Sequence, residues 1–181
     1  MDSLPPAALA ALRDDLVPAA VAFILLGLAL AAGLIAALRR RTEGATLGAF
    51  AAFCALYALR ALGDTNGAEI LFGVSAAELD LFTSVLTYLV PIPALLFFTA
   101  VLGRGWRSSL VRIWQISIVF AVVAIPFEIL TRSPEAFALP YRVLTLAGVA
   151  VSVLHLFLPR LAPPADLWLL RASFLLLSTF V

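Results

Sequence analysis

An uninterrupted apolar run at positions 16–38 constrains this chain more than anything else in it. A helix rising 1.5 Å per residue needs about 20 apolar residues to cross the hydrocarbon core of a bilayer. The run meets that length without an internal charge and is closed by Arg39, Arg40 and Arg41. Further apolar runs occupy positions 45–62, 81–102, 113–130, 143–158 and 167–181, the last still apolar at Val181. The pattern predicts an all-α polytopic transmembrane bundle. Residues 1–15 form a short extracytoplasmic leader, 16–181 form the bundle, and the sixth span is expected to continue beyond Val181, with seven or more spans in all. Composition agrees, with 64% apolar and 13% charged residues, against roughly 45–50% and 25% in soluble domains. A water-soluble domain of this size has too much surface to hide so much hydrocarbon. Cytoplasmic enzymes, nucleic-acid binders and disulfide-stapled secreted domains are thereby disfavoured.

The charges set an expected orientation. Arg residues near span ends are retained on the cytoplasmic side, and loops 39–44 and 103–109 carry Arg39, Arg40, Arg41, Arg104 and Arg107. Between them, 63–80 holds Asp64, Glu69, Glu78 and Asp80 and no basic residue. The acidic loop and the amino terminus are therefore expected outside. The leader is acidic, with Asp2, Asp14 and Asp15 against Arg13. A cleavable signal needs a positive start and a shorter apolar stretch of about 7–15 residues, so the first span is read as a retained helix.

Ionisable residues inside a membrane are costly and therefore functional suspects. Arg60 lies near the outer end of the second span, with Asp64 one turn on as its local partner. Glu128 sits near the outer end of the fourth span, four residues before Arg132, in the favourable order for a helical pair. A cross-helix pair between Arg60 and Glu128 is the sharper expectation; solvated helix ends are the plainer one. In the third span Ser84, Thr87, Tyr88 and Pro91 recur at helical spacing, and Pro91 and Pro93 each remove a backbone donor. That combination fits a bending helix beside a cavity, although hydroxyls making ordinary inter-helix hydrogen bonds would look the same. Gly44, Gly48, Ala52 and Ala55 mark a small-residue packing face on the second helix, and Trp106 and Trp114 read as interfacial belt residues. His155 has no companion with which to build a metal site or a relay, and lone Cys54 behaves as a small apolar residue. No phosphate loop, nucleophile elbow or paired-carboxylate constellation occurs, so no catalytic residue, metal or cofactor is expected in these 181 residues.

Positions 50–60 (FAAFCALYALR), Asp64, positions 88–98 (YLVPIPALLFF) and positions 103–109 (GRGWRSS) carry a resemblance. They are similar to multi-helix sensor regions of bacterial signalling proteins, the seven-helix membrane receptors with diverse intracellular signalling modules. The resemblance covers roughly 45–158 and implies a sensory input region. Its output would be a serine/threonine phosphatase of the PP2C/SpoIIE type or a histidine kinase beyond Val181, reached through a homodimeric linker. The implied partners are the lipid bilayer and a second copy of the chain, with no nucleic acid, and the stimulus is left unspecified. A small-molecule permease and a structural membrane subunit are the alternatives from other classes.

Overall fold

The computed structural model describes residues 6–39, 44–65, 67–69, 73–102, 108–133 and 136–157, with side chains from Asp15 onward. The architecture is all-α: α1 Pro6–Leu38, α2 Gly44–Gly63, α3 Ala76–Leu89, α4 Pro91–Leu102, α5 Ser109–Thr131 and α6 Ala138–Phe157. Among the described residues five helical stretches are long and apolar enough to cross a membrane, with α3 and α4 counting as one of them, Ala76–Leu102. The expected sixth span, 167–181, lies outside the described residues, as do Arg171, Trp106 and the Arg104 and Arg107 loop.

Several expected boundaries move. The leader and the first span form one helix from Pro6 to Leu38 that runs through Pro18, so no break separates the leader from the span. The third span starts earlier than expected because Ser75 caps it. The Ser75 hydroxyl accepts from the Glu78 amide at 3.4 Å, and Glu78 Oε2 accepts from the Ser75 amide at 3.1 Å. That reciprocal capping box satisfies two amides at the helix start and draws Glu78 and Asp80 out of the acidic loop into the first turns of α3. The fifth span likewise begins at Ala138, which moves Arg142 from a loop onto a helix.

Pro91 opens α4, where its missing N–H costs nothing, and Val90 joins α3 to α4 with helical φ −52° and ψ −44°. The rod therefore continues in direction across its seam. The carbonyls of Thr87 and Leu89 nevertheless lose the donors that residues 91 and 93 would have supplied.

Apolar side chains cover much of the outside, with Leu30 76% and Leu130 84% exposed. The inside is built from small residues. Ala22 and Ala58 are both fully buried and pack α1 on α2 beside Leu62. Helices approach this closely where small residues let their backbones meet. The face differs in part from the one expected: Gly44 packs on α1, where an added Cβ would lie 3.0 Å from the Ala36 carbonyl oxygen, whereas Ala52 is exposed and a Cβ on Gly48 would meet nothing within 4 Å. A second cluster joins Tyr88 of α3 to Ala121 and Ala124 of α5, and a third joins Leu102, Leu110 and Leu156 where α4, α5 and α6 meet. Hydroxyls inside the helices bond back to carbonyls one turn earlier, as Ser117 does to Ile113 at 2.9 Å and Ser152 to Gly148 at 2.8 Å. His155 is buried, donates from Nδ1 to the Val151 carbonyl at 2.7 Å and places Nε2 3.5 Å from the Ser109 hydroxyl. Trp114, read as a belt residue, is half-buried with its Nε1 enclosed by protein.

The α1–α2 contact gives a direct test. Ala58→Leu should lower the unfolding free energy by about 1–3 kcal/mol, the usual cost of forcing extra methylenes into a filled site. Gly27→Ala, where a Cβ meets nothing within 4 Å, should be neutral or stabilising. Detergent-induced unfolding followed by circular dichroism reads both, and equal tolerance at the two positions would contradict the tight alanine interface.

Candidate functional site

At the end of the bundle that holds the α2–α3 connection, α2, α3 and α6 line a half-open cavity of about 520 Å³. The C-terminal turn of α2 and the start of α6 flank α3 along its stretch from Asp80 to Tyr88. Among the described residues no broad helix-to-helix contact joins α2 directly to α6, so the space between them lies above α3. The acidic connection is tied across this end, because the Gly67 amide donates to Asp15 Oδ2 of α1 at 3.1 Å.

The wall on α2 is Arg60 with Asp64. Arg60 Nη2 lies 3.3 Å from Asp64 Oδ2, the local pair expected one turn apart. Arg60 Nε donates to Thr87 Oγ1 of α3 at 2.7 Å. The same Thr87 hydroxyl donates to the Thr83 carbonyl at 2.7 Å, so it both accepts and donates, and the guanidinium is held by a fixed acceptor. Asp64 is exposed and Arg60 about one-third so. The ion pair itself therefore contributes little to stability, and what it supplies is orientation.

Glu128 of α5 sits behind this wall, with no exposed surface. Ser84 Oγ donates to its Oε2 at 2.6 Å, and the Tyr88 hydroxyl donates to its Oε1 at 2.5 Å. Ser84 and Tyr88 lie one turn apart on α3, and that spacing serves the two oxygens of one carboxylate. Burying a carboxylate is tolerable only when its oxygens are satisfied, and here a neighbouring helix supplies the donors. Tyr88 also anchors an aromatic group. Its ring centroid is 5.3 Å from Tyr141 and 5.5 Å from Phe120, both in edge-on arrangements, and Phe120 continues to Phe137 at 6.0 Å. Tyr88 and Tyr141 thus carry the aromatic floor from the core up to the cavity.

The cross-helix pair expected between Arg60 and Glu128 does not form. Arg60 spends its bonds on Asp64 and Thr87, and Glu128 spends its own on Ser84 and Tyr88. The two groups attach to the same turn of α3, Arg60 at Thr87 and Glu128 at Ser84 and Tyr88 on either side of it in sequence. The helical pair of Glu128 with Arg132 is also absent among the described residues. Arg132 turns out of the helix in the left-handed region, with φ 50°.

Of the candidates expected from sequence, the structure brings Arg60, Asp64, Ser84, Thr87 and Tyr88 to the cavity, puts Glu128 directly beneath it, and leaves Pro91 outside the lining, at the α3–α4 seam. Sequence reasoning missed Asp80, Thr83, Tyr141 and Arg142, which also line it. The signal for Asp80 and Thr83 was available: Ser75 and Glu78 mark a helix start, and positions 80, 83, 84 and 87 then fall on one face. Among the described residues no group of three or more His, Cys, Asp or Glu side chains could hold a metal ion. The chemistry of the lining suits recognition of a polar molecule: two guanidiniums, two carboxylates, hydroxyls and phenol edges. No protein-family model, curated protein or solved structure matches the chain.

Proposed function

We propose that this chain is the membrane-embedded input region of a bacterial signal-transduction protein and that the cavity between α2, α3 and α6 receives the stimulus. The observation that carries this reading is the cavity itself: about 520 Å³ of mixed-charge space within a bundle whose outer surface is largely apolar. Pockets of roughly 300–1,000 Å³ with a few convergent polar groups are the usual form of small-molecule sites. Arginine placement supports an outward-facing cavity, since Arg39 belongs to the opposite end of the bundle, and basic loops stay in the cytoplasm. A ligand bridging α2 and α6 would stabilise one spacing of those helices over another, which shifts the population of bundle states. The change would pass to an output domain beyond Val181, a PP2C/SpoIIE-type phosphatase or a histidine kinase, through a homodimeric linker.

Two measurements on the full-length protein test this. Thr65→Cys, in the connection beside the cavity, should react with a membrane-impermeant maleimide in intact cells, and native Cys54, which is buried, supplies a low background. Labelling that requires permeabilised cells would reverse the orientation and remove the reading's topological support. Ala138→Trp, which fills the cavity from α6, should fix output at one level; an output that still responds like wild type would mean that the stimulus enters elsewhere.

A further inference from the structure

We propose that the cavity recognises a small zwitterion, a molecule carrying an ammonium group and an anionic oxygen group a short distance apart. This inference rests on the cavity being a binding site and names the chemistry it selects. The four charged residues of the wall are committed differently. Arg60 is held by Thr87 and Asp64. Asp80 of α3 and Arg142 of α6 are exposed and make no side-chain hydrogen bond or ion pair with any other described residue. One free carboxylate and one free guanidinium thus come from two different helices to the same space.

The competing ligand classes fail on the same walls. A simple anion would pair with Arg142 but face Asp64 and Asp80, and a simple cation would pair with Asp80 but face Arg60 and Arg142. A neutral polyol would match Thr83 and the phenols yet cover both free charges without neutralising either, and covering an unpaired charge is costly. A zwitterion pairs each free group with its opposite. The edge-on rings of Tyr88 and Tyr141, 5.3 Å apart, are an apolar surface for the carbon link between its two ends. Discrimination comes as much from the repulsion met by the wrong ligand as from the attraction of the right one. Because Asp80 and Arg142 are exposed to water, each contributes modestly, and loss of either should weaken binding several-fold to about tenfold.

This chemistry has two sources, a dissolved solute or the headgroup of a zwitterionic lipid. The probe is phosphoethanolamine, titrated calorimetrically into the full-length protein in detergent, with 4-aminobutyrate as a second zwitterion and acetate and ethylammonium as its separated halves. Both zwitterions should release heat and saturate, the halves should not, and Asp80→Asn and Arg142→Gln should each weaken binding by the stated factor while leaving the unfolding midpoint unchanged. In nanodiscs, phosphatidylethanolamine that competes with the probe where phosphatidylglycerol does not identifies a headgroup; competition by neither identifies a solute. The proposal is overturned if acetate or ethylammonium binds as tightly as the zwitterions, if both variants bind like wild type, or if neither zwitterion binds. Ala138→Trp separates this from the broader reading: an output that it fixes despite a failed titration keeps the cavity as input and discards the zwitterion.

Discussion

Removing the two hydroxyls that face Glu128, in the double variant Ser84→Ala with Tyr88→Phe, is expected to destabilise the bundle by about 3–5 kcal/mol, the scale for leaving a buried charged group without its partners. Glu128→Ala alone should cost less, about 2–4 kcal/mol, because the hydroxyls that lose their acceptor are neutral and each unsatisfied one costs about 1–3 kcal/mol. The informative variant is the triple one, with Glu128→Leu added to the hydroxyl deletions. It replaces the polar cluster by apolar groups of similar shape, and such replacement is often neutral, so the triple variant should be more stable than the double. That non-additivity is expected of residues sharing one network. Detergent-induced unfolding of the four proteins supplies the comparison. Equal stability of the double and the wild type would mean that the carboxyl is not held by α3.

The second large effect concerns the tightest glycine among the described residues. A Cβ on Gly63, the last residue of α2, would run into Thr83 Cγ2, well inside any tolerable contact. Thr83 cannot turn away freely, since its hydroxyl donates to the Asp80 carbonyl at 3.1 Å. Gly63→Ala should therefore destabilise by about 1–3 kcal/mol, although alanine is otherwise favoured over glycine in a helix by about 1 kcal/mol. Thr83→Ser removes the offending methyl and keeps the hydroxyl. In that background Gly63→Ala should become neutral or stabilising. A destabilisation of the same size with threonine or serine at position 83 would place the strain somewhere other than this contact.

Much of the helix layout was legible because a long apolar run bounded by arginine has few alternatives. The 16–38 run and the pair of Arg60 with Asp64 needed no tertiary information; the first is a matter of length and the second of spacing along one helix. What escaped was the rotation of one helix against another. Sequence spacing puts Ser84, Thr87 and Tyr88 on neighbouring positions of α3, yet it does not say that Thr87 turns to α2 while Ser84 and Tyr88 turn to α5. That difference of one position decides the partners, so Arg60 and Glu128 looked able to meet when each in fact meets α3. The small-residue face failed in part for the same reason: Gly48 and Ala52 are as small as Ala51 and Ala58, and their size does not reveal which pair looks toward α1. The start of α6 was misplaced because Pro140 and Arg142 read as loop residues, although proline is tolerated in a first helical turn.

The seam at Val90 bears on how the protein would respond to the thickness of its surroundings. The stretch Ala76–Leu102 is longer than α2, at 27 residues against 20, or about 40 Å against 30 Å at 1.5 Å per residue. In a lipid layer with a hydrocarbon core near 30 Å, a rod longer than its neighbour must lean or bend. Two carbonyls without helical donors make the seam the softest place to bend. Thinning or thickening of the layer would then be taken up between α3 and α4, turning the cavity-lining half relative to the half buried against α5 and α6. A bundle built this way would couple its polar cavity to the fluid dimensions of the membrane, so growth temperature and acyl-chain length would tune the proposed site.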